Sequence, residues 1–209
     1  YDQLFEEPKI IMRQTSDSIR CVYDESGYYV LNSILVFKKN SERYSYKYIA
    51  AVLNSTLTDY LYKKLTQEEG RTFAEVKPAN VRKLYIPKAT REEQDLLSIL
   101  YDYLVFLKNP NQTDSFVSLN SMFIDLFEKI IDGCVYELLF REHMKEREID
   151  IMSYLYQQIK PIEGLSDQDK NNIIISVHSN IFMTDNPARA RLKLFVSRSP
   201  EYLKPIIQH

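Results

Sequence analysis

The spacing of the apolar residues changes once along this chain, near Tyr46, and that change limits what it can fold into. Before it, residues 9–14, 18–23 and 28–37 are rich in β-branched and aromatic side chains and read as short strands. Asp24-Glu25-Ser26-Gly27, between the last two, is a hairpin signal with Gly27 available for a positive φ. Ile10, Met12, Ile19 and Val22 alternate imperfectly, so some of these strands are expected to be covered on both faces. After it, Ile49, Val52, Leu53, Leu57, Tyr60, Leu61 and Leu65 recur at helical spacing and make one wide apolar face.

Further along, Gly70 ends that helix or the loop after it, and residues 83–87 read as a short strand stopped by proline. Thr90 followed by Glu93 is a capping-box pattern opening a helix whose apolar face runs Leu96, Leu97, Leu100, Tyr103, Leu104 and Leu107. Asn109-Pro110-Asn111-Gln112-Thr113-Asp114 reads as a connector. Beyond it the stripes are helical: Phe116 to Leu138, then Ile149, Met152, Leu155 and Ile159, then Ile173, Ile174, Val177 and Ile181 after a Ser166/Asp169 start. Asn186-Pro187 and Ser199-Pro200 both place proline where a helix begins. The expectation is an α+β chain: an N-terminal mixed β-sheet/helix lobe over residues 1–110 and a mainly α-helical lobe over residues 111–209.

Hydrophobic residues make up 44% and charged residues 27%, a composition that forms a packed core rather than a disordered chain. There is no signal-peptide pattern and no apolar run of spanning length, so the expected setting is cytoplasmic. The chain begins on Tyr1 inside a charged stretch, which fits a piece of a longer protein; a processed terminus would look the same. Cys21 and Cys134 lack metal-ligand or redox spacing and read as buried, reduced thiols.

A net charge of −2 argues against a protein that coats nucleic acid wholesale. The average hides a local surplus. Residues 63–91 hold Lys63, Lys64, Arg71, Lys77, Arg82, Lys83, Lys88 and Arg91 against Glu68, Glu69 and Glu75. Counterion release from DNA rewards such clusters whatever the whole-chain charge, although a solvated surface stretch would look similar.

The first 95 or so residues resemble a known family, the TaqI-like C-terminal specificity domain of adenine-N6 DNA methyltransferases and type II restriction-modification enzymes. The segments that carry the resemblance are KIIMRQTSDSIRCVYDESGYYVLNSILVF (9–37), YIAAVLNSTLTDYLYKKL (48–65) and EEGRTFAEVKPANVRKLYIPKATREEQ (69–94). They look like the family's opening β hairpin, its helix with an LNS turn, and its GRTF–lysine–IP stretch. The last segment also resembles the recognition domains of type I specificity subunits. The resemblance implies a DNA-reading domain, with double-stranded DNA and the catalytic methyltransferase or nuclease domains of the same polypeptide as partners. S-adenosylmethionine, with Mg2+ as a further candidate, would belong to the parent enzyme, not to this stretch.

Reading sequence in a groove needs paired donors and acceptors: Arg or Lys for guanine, Asn or Gln for adenine. Arg13-Gln14-Thr15, after Lys9 on the first strand, offers all three chemistries side by side. Arg71 and Thr72, with Lys77, Asn80, Arg82 and Lys83, form a second group. Phosphate contacts position and base contacts specify. Lys63, Lys64, Lys77 and Lys83 are therefore expected at the backbone, and Arg13, Gln14, Arg71 and Asn80 at base edges. The alternative reading of Arg71 and Thr72 is that they only stabilise the turn after Gly70.

Catalytic patterns are weak. Asn109-Pro110-Asn111 and Asn186-Pro187-Ala188 both break the Asn-Pro-Pro-aromatic motif of adenine methyltransferases, and there is no glycine-rich cofactor loop. Glu75-Val76-Lys77 fits the Glu-x-Lys of metal-dependent nucleases, but no Pro-Asp precedes it at a convincing distance. His143, His178 and His209 are scattered. The expected function is sequence-specific DNA recognition without a catalytic site in this stretch. The alternatives are a protein-docking module without DNA contact and a type I-style specificity subunit.

Overall fold

A computed structural model describes residues 3–66, 75–109 and 117–208. The chain divides into two compact units, residues 1–86 and 87–209. The division falls at the Ile86–Pro87 step, earlier than the connector at 109–114, because the helix that opens at Arg91 packs against the long helix after the connector. Together a small sheet and many helices make the α+β architecture expected from the sequence.

In the first unit, α1 (Gln3–Glu6) leads into β1 (Lys9–Arg13), the central strand of a three-stranded antiparallel sheet ordered β2-β1-β3. β2 (Cys21–Asp24) runs beside it from Lys9↔Asp24 to Met12↔Cys21. β3 (Ile34–Phe37) occupies the other edge, from Ile10↔Phe37 to Arg13↔Ile34. The expected hairpin across Asp24–Gly27 is therefore corrected: β2 and β3 lie on opposite sides of β1 and do not pair. Gly27 does take φ +78°, but the turn sends the chain past the sheet rather than back along β2. Asp24 holds that turn, its carboxylate accepting from the N–H groups of Ser26 (2.9 Å) and Tyr28 (3.0 Å). The third expected strand shortens accordingly, with residues 28–33 in a loop.

Asp24 also closes on Lys9 at 2.5 Å, with both side chains almost wholly removed from solvent. Burial pushes its carboxyl up, but the hydrogen bonds from Lys9 Nζ and the two backbone N–H groups outweigh this and hold it below its ordinary value.

The helical stripe after Tyr46 folds as two helices, α2 (Tyr46–Leu53) and α3 (Thr56–Thr66), separated at Asn54-Ser55. Ser45 caps the first by accepting from Tyr48 N–H (3.1 Å). Asn54 then turns its side chain to the free edge of the sheet. Its Oδ1 accepts from Cys21 N–H (3.0 Å) and its Nδ2 donates to Cys21 O (2.8 Å) and Ala50 O (2.9 Å). Since Arg13 N–H donates to Arg20 O, the Met12↔Cys21 pair falls at a non-hydrogen-bonded position, and the backbone of Cys21 points outward from β1. The amide of Asn54 thus supplies what a fourth strand would. Replacing it by alanine strands both backbone groups of Cys21, and chemical denaturation of Asn54→Ala should show a loss of about 2 kcal/mol in the first unit.

Ile10, Met12 and Ile19 from the strand region, Leu53 and Tyr62 from the helices, and Val76 and Val81 from the later segment are all buried in this unit. Val76 precedes a single turn, α4 (Pro78–Val81), with proline at its start. Residues 83–87, expected as a strand, form no ladder. The N–H groups of Lys83 (3.0 Å) and Leu84 (3.1 Å) instead bond back to Asn80 O and Val81 O, and proline at 87 ends the run.

Every regular element among the second unit's described residues is a helix: α5 (Arg91–Leu107), α6 (Val117–Leu139), α7 (Arg141–Glu146), α8 (Met152–Leu155), α9 (Asp167–Phe182), α10 (Pro187–Arg198) and α11 (Leu203–Ile207). Thr90 and Glu93 form the capping box reciprocally, and Arg141 meets the same Glu93 carboxylate at 2.7 Å. Tyr103 packs edge-on against Phe127, and its hydroxyl pairs with both backbone groups of Lys160. Ser166 and Asn186 cap α9 and α10 as their positions suggest. Two expectations change. The stripe 149–159 is helical only over Met152–Leu155, and α11 starts at Leu203, three residues after Pro200, with Ser199 both ending α10 and accepting from the first N–H groups of α11. Glu137 explains the first: its Oε2 accepts from the N–H groups of Ile151 (2.6 Å) and Met152 (2.9 Å), fixing a helix start there. Among the described residues, no helix is long and apolar enough to cross a membrane.

Candidate nucleic-acid interface

One end of the sheet gathers the polar side chains singled out in the sequence. Arg13 is the last residue of β1 and is exposed; Gln14 and Thr15 continue past it. The segment 75–77 docks on this end. Val76 N–H donates to Gln14 O (2.8 Å), and Thr15 bridges Glu75 as an isolated antiparallel pair. Tyr62 locks the segment from α3, its hydroxyl accepting from Lys77 N–H (3.3 Å) and donating to Glu75 O (3.5 Å). Two groups about sixty residues apart in sequence (13–15 and 77–83) are thereby joined in one place.

The candidates do not all fare alike. Lys77, Arg82 and Lys83 are exposed around α4, and Asn80 is half-buried within it. The amide of Gln14 donates to the Glu75 carboxylate, so it holds the docked segment before it can hold a base. Lys63 pairs with Asp59 at 3.0 Å, and Lys64 lies 5.4 Å from the ring of Tyr60. Arg71, Thr72 and Gly70 lie outside the described residues. Lys9 is corrected. It is fully buried, paired with Asp24 and donating to Phe5 O, so it is a structural cation with no route to a phosphate. Lys88 and Arg91 fall in the second unit, where Arg91 pairs with Asp95 at 3.0 Å.

The sequence reading missed three residues at this end. Arg20 is exposed, and the bond from Arg13 N–H to Arg20 O (3.0 Å) makes the two arginines a cross-strand pair just beyond Met12↔Cys21. Like charges opposite one another across strands repel, and an anion beside them relieves the repulsion. Leu31 and Asn32 lie on a turn at the same end, held by Gln14 N–H donating to Ser33 O (2.9 Å). Nothing in the local pattern could have found them, because only the pairing register of the strands brings them beside Arg13.

Among the described residues, the side chains of the weaker catalytic patterns are engaged in structural bonds. In Glu75-Val76-Lys77 the valine is a core residue and the glutamate accepts from Gln14. Among the described residues, no group of three His, Cys, Asp or Glu side chains could hold a metal ion. His143 meets Ser199 Oγ at 2.8 Å and Glu201 at 3.9 Å, both through Nε2, whereas a hydrolytic triad needs its acid on Nδ1. Ser199 is buried and its hydroxyl accepts from Leu203 N–H, a cap rather than a nucleophile. Burial pushes the Cys21 thiol up to about 12 and the Cys134 thiol well above its ordinary value, which disfavours the thiolate that a nucleophile or metal ligand needs.

A small α+β unit that presents arginine, lysine and amide groups at one sheet end has side chains suited to meeting a polyanion. Residues 2–86 match the model of the TaqI-like C-terminal specificity domain, and the match ends at the boundary of the first unit. The family supports DNA target recognition in restriction-modification enzymes for this stretch, with DNA as its partner. No curated protein and no solved structure matches the chain.

Proposed function

We propose that the first unit is the sequence-specific DNA-recognition part of a type II restriction-modification enzyme. It holds double-stranded target DNA for adenine methylation, cleavage or both by catalytic domains of the same polypeptide. S-adenosylmethionine, and Mg2+ where cleavage occurs, serve those catalytic domains. The observation that carries this reading is the docking of segment 75–77 on the end of β1, which unites Arg13 with Lys77, Arg82 and Lys83. Arg13 is suited to a guanine edge through its paired donors, with Arg20 beside it; Lys77, Arg82 and Lys83 are suited to phosphates.

Selection from a randomised duplex library, followed by fluorescence polarisation in a salt series, tests this. Arg13→Ala should lose about 1–3 kcal/mol, a factor of about 5 to 150, of preference for the selected duplex over random DNA. Lys83→Ala should weaken all duplexes alike and reduce the log–log salt slope by about 1. Binding that ignores salt, or an Arg13→Ala variant with unchanged preference and affinity, would overturn the proposal.

A further inference from the structure

We infer that the turn Leu31–Ile34 reads an A·T base pair from the major groove, with Asn32 on the adenine and Leu31 on the thymine methyl. This rests on the DNA-recognition reading above and names residues that it does not use.

Leu31 has 81% of its surface exposed, more than Tyr28 or Tyr29 at 64% each in the same loop. A single exposed leucine is ordinary on a protein surface. This one is not on a loose excursion. Ile34 N–H donates to Leu31 O (3.0 Å), closing a four-residue turn, and Gln14 N–H donates to Ser33 O (2.9 Å), continuing the β1–β3 ladder beyond Arg13↔Ile34. Two backbone bonds therefore hold an exposed leucine, Asn32 and Ser33 against the strand end that carries Arg13 and Arg20.

The chemistry of the two side chains is complementary to one base pair. An asparagine amide can accept from adenine N6–H and donate to N7 at once, and an apolar side chain gains by covering the thymine 5-methyl. The N6–H donor beside N7 and the 5-methyl lie together on the major-groove edge of A·T, whereas guanine sets the acceptor O6 beside N7 and cytosine has no methyl. The arginines nearby bring the polyanion to the turn, so the occupant is duplex DNA rather than an apolar peptide.

The test uses the full-length protein and the duplex it selects, with deoxyuridine replacing thymine one position at a time and 7-deazaadenine replacing the partner adenine. At one pair the wild type should lose about threefold to fivefold in affinity on losing the methyl, the worth of one buried methyl group. Leu31→Ala should bind the thymine and deoxyuridine duplexes equally, and Asn32→Ala should lose sensitivity to 7-deazaadenine at that same pair. A wild type indifferent to deoxyuridine at every thymine, a selected site without an A·T pair, or Leu31→Ala with wild-type sensitivity at every position would each overturn the inference. If Arg13→Ala loses its preference in that case, DNA recognition by this unit stands and only the role of the turn falls. If Arg13→Ala is also silent, both fall.

Discussion

Asp24→Ala should destabilise the first unit by about 3–5 kcal/mol, the usual cost of removing one partner from a buried ion pair. The Lys9 ammonium would remain fully buried, still donating to Phe5 O but without its counter-charge, and the N–H groups of Ser26 and Tyr28 would lose their acceptor. Lys9→Met should cost less, because the Asp24 carboxylate keeps those two backbone donors. Amide hydrogen exchange locates the effect: protection should fall in residues 9–66 first, while α5 and α6 keep theirs. The pH dependence has a definite sign. The Asp24 pKa is lowered in the folded state, so its contribution is present above the ordinary aspartate value of about 3.9 and is lost as pH falls through the lower folded value. Asp24→Ala should lack that acid-side loss. A variant with unchanged protection would show that the pair contributes nothing net.

Glu137→Ala should destabilise the second unit by about 2–5 kcal/mol, because two backbone N–H groups at the start of α8 lose their acceptor in a buried place. Here the pH sign is reversed. Burial pushes the Glu137 carboxyl up despite the bonds from Met152 and Ile151. A raised folded pKa means stability that is fully present below the ordinary glutamate value of about 4.3 and lost as pH rises through the folded one. Both backbone donors meet the same oxygen, Oε2, so Glu137→Gln can keep them on its amide oxygen while removing the charge. Denaturant titrations across pH should therefore show a wild-type decline absent from Glu137→Gln, and a uniform loss in Glu137→Ala. Equal pH profiles in wild type and Glu137→Gln would refute the assignment.

These two carboxylates also show where reading by pattern stops. The alternation around Ile10 and Met12 marks β1, and the Thr90, Ser166 and Asn186 caps mark helix starts, because each depends on residues close by in the chain. Lys9 looks like any exposed strand lysine, and its burial depends on Asp24 arriving from another strand. Likewise, Asp24-Glu25-Ser26-Gly27 has the residues of a hairpin turn. Whether its two flanks pair is decided by β1, which takes both of them as neighbours.

The candidate interface divides the same way. Side-chain chemistry picks out Arg13, Gln14 and the basic run through Lys83 as groups able to meet bases or phosphates, and the family resemblance is what turned that chemistry toward DNA. Side-chain chemistry is local, so it can be read from the letters. Tertiary structure decided which of these groups stand together: it withdrew Lys9, tied Gln14 to Glu75, and added Arg20, Leu31 and Asn32. Proximity between strands is set by register and by what docks on their ends, and neither has a period in the sequence.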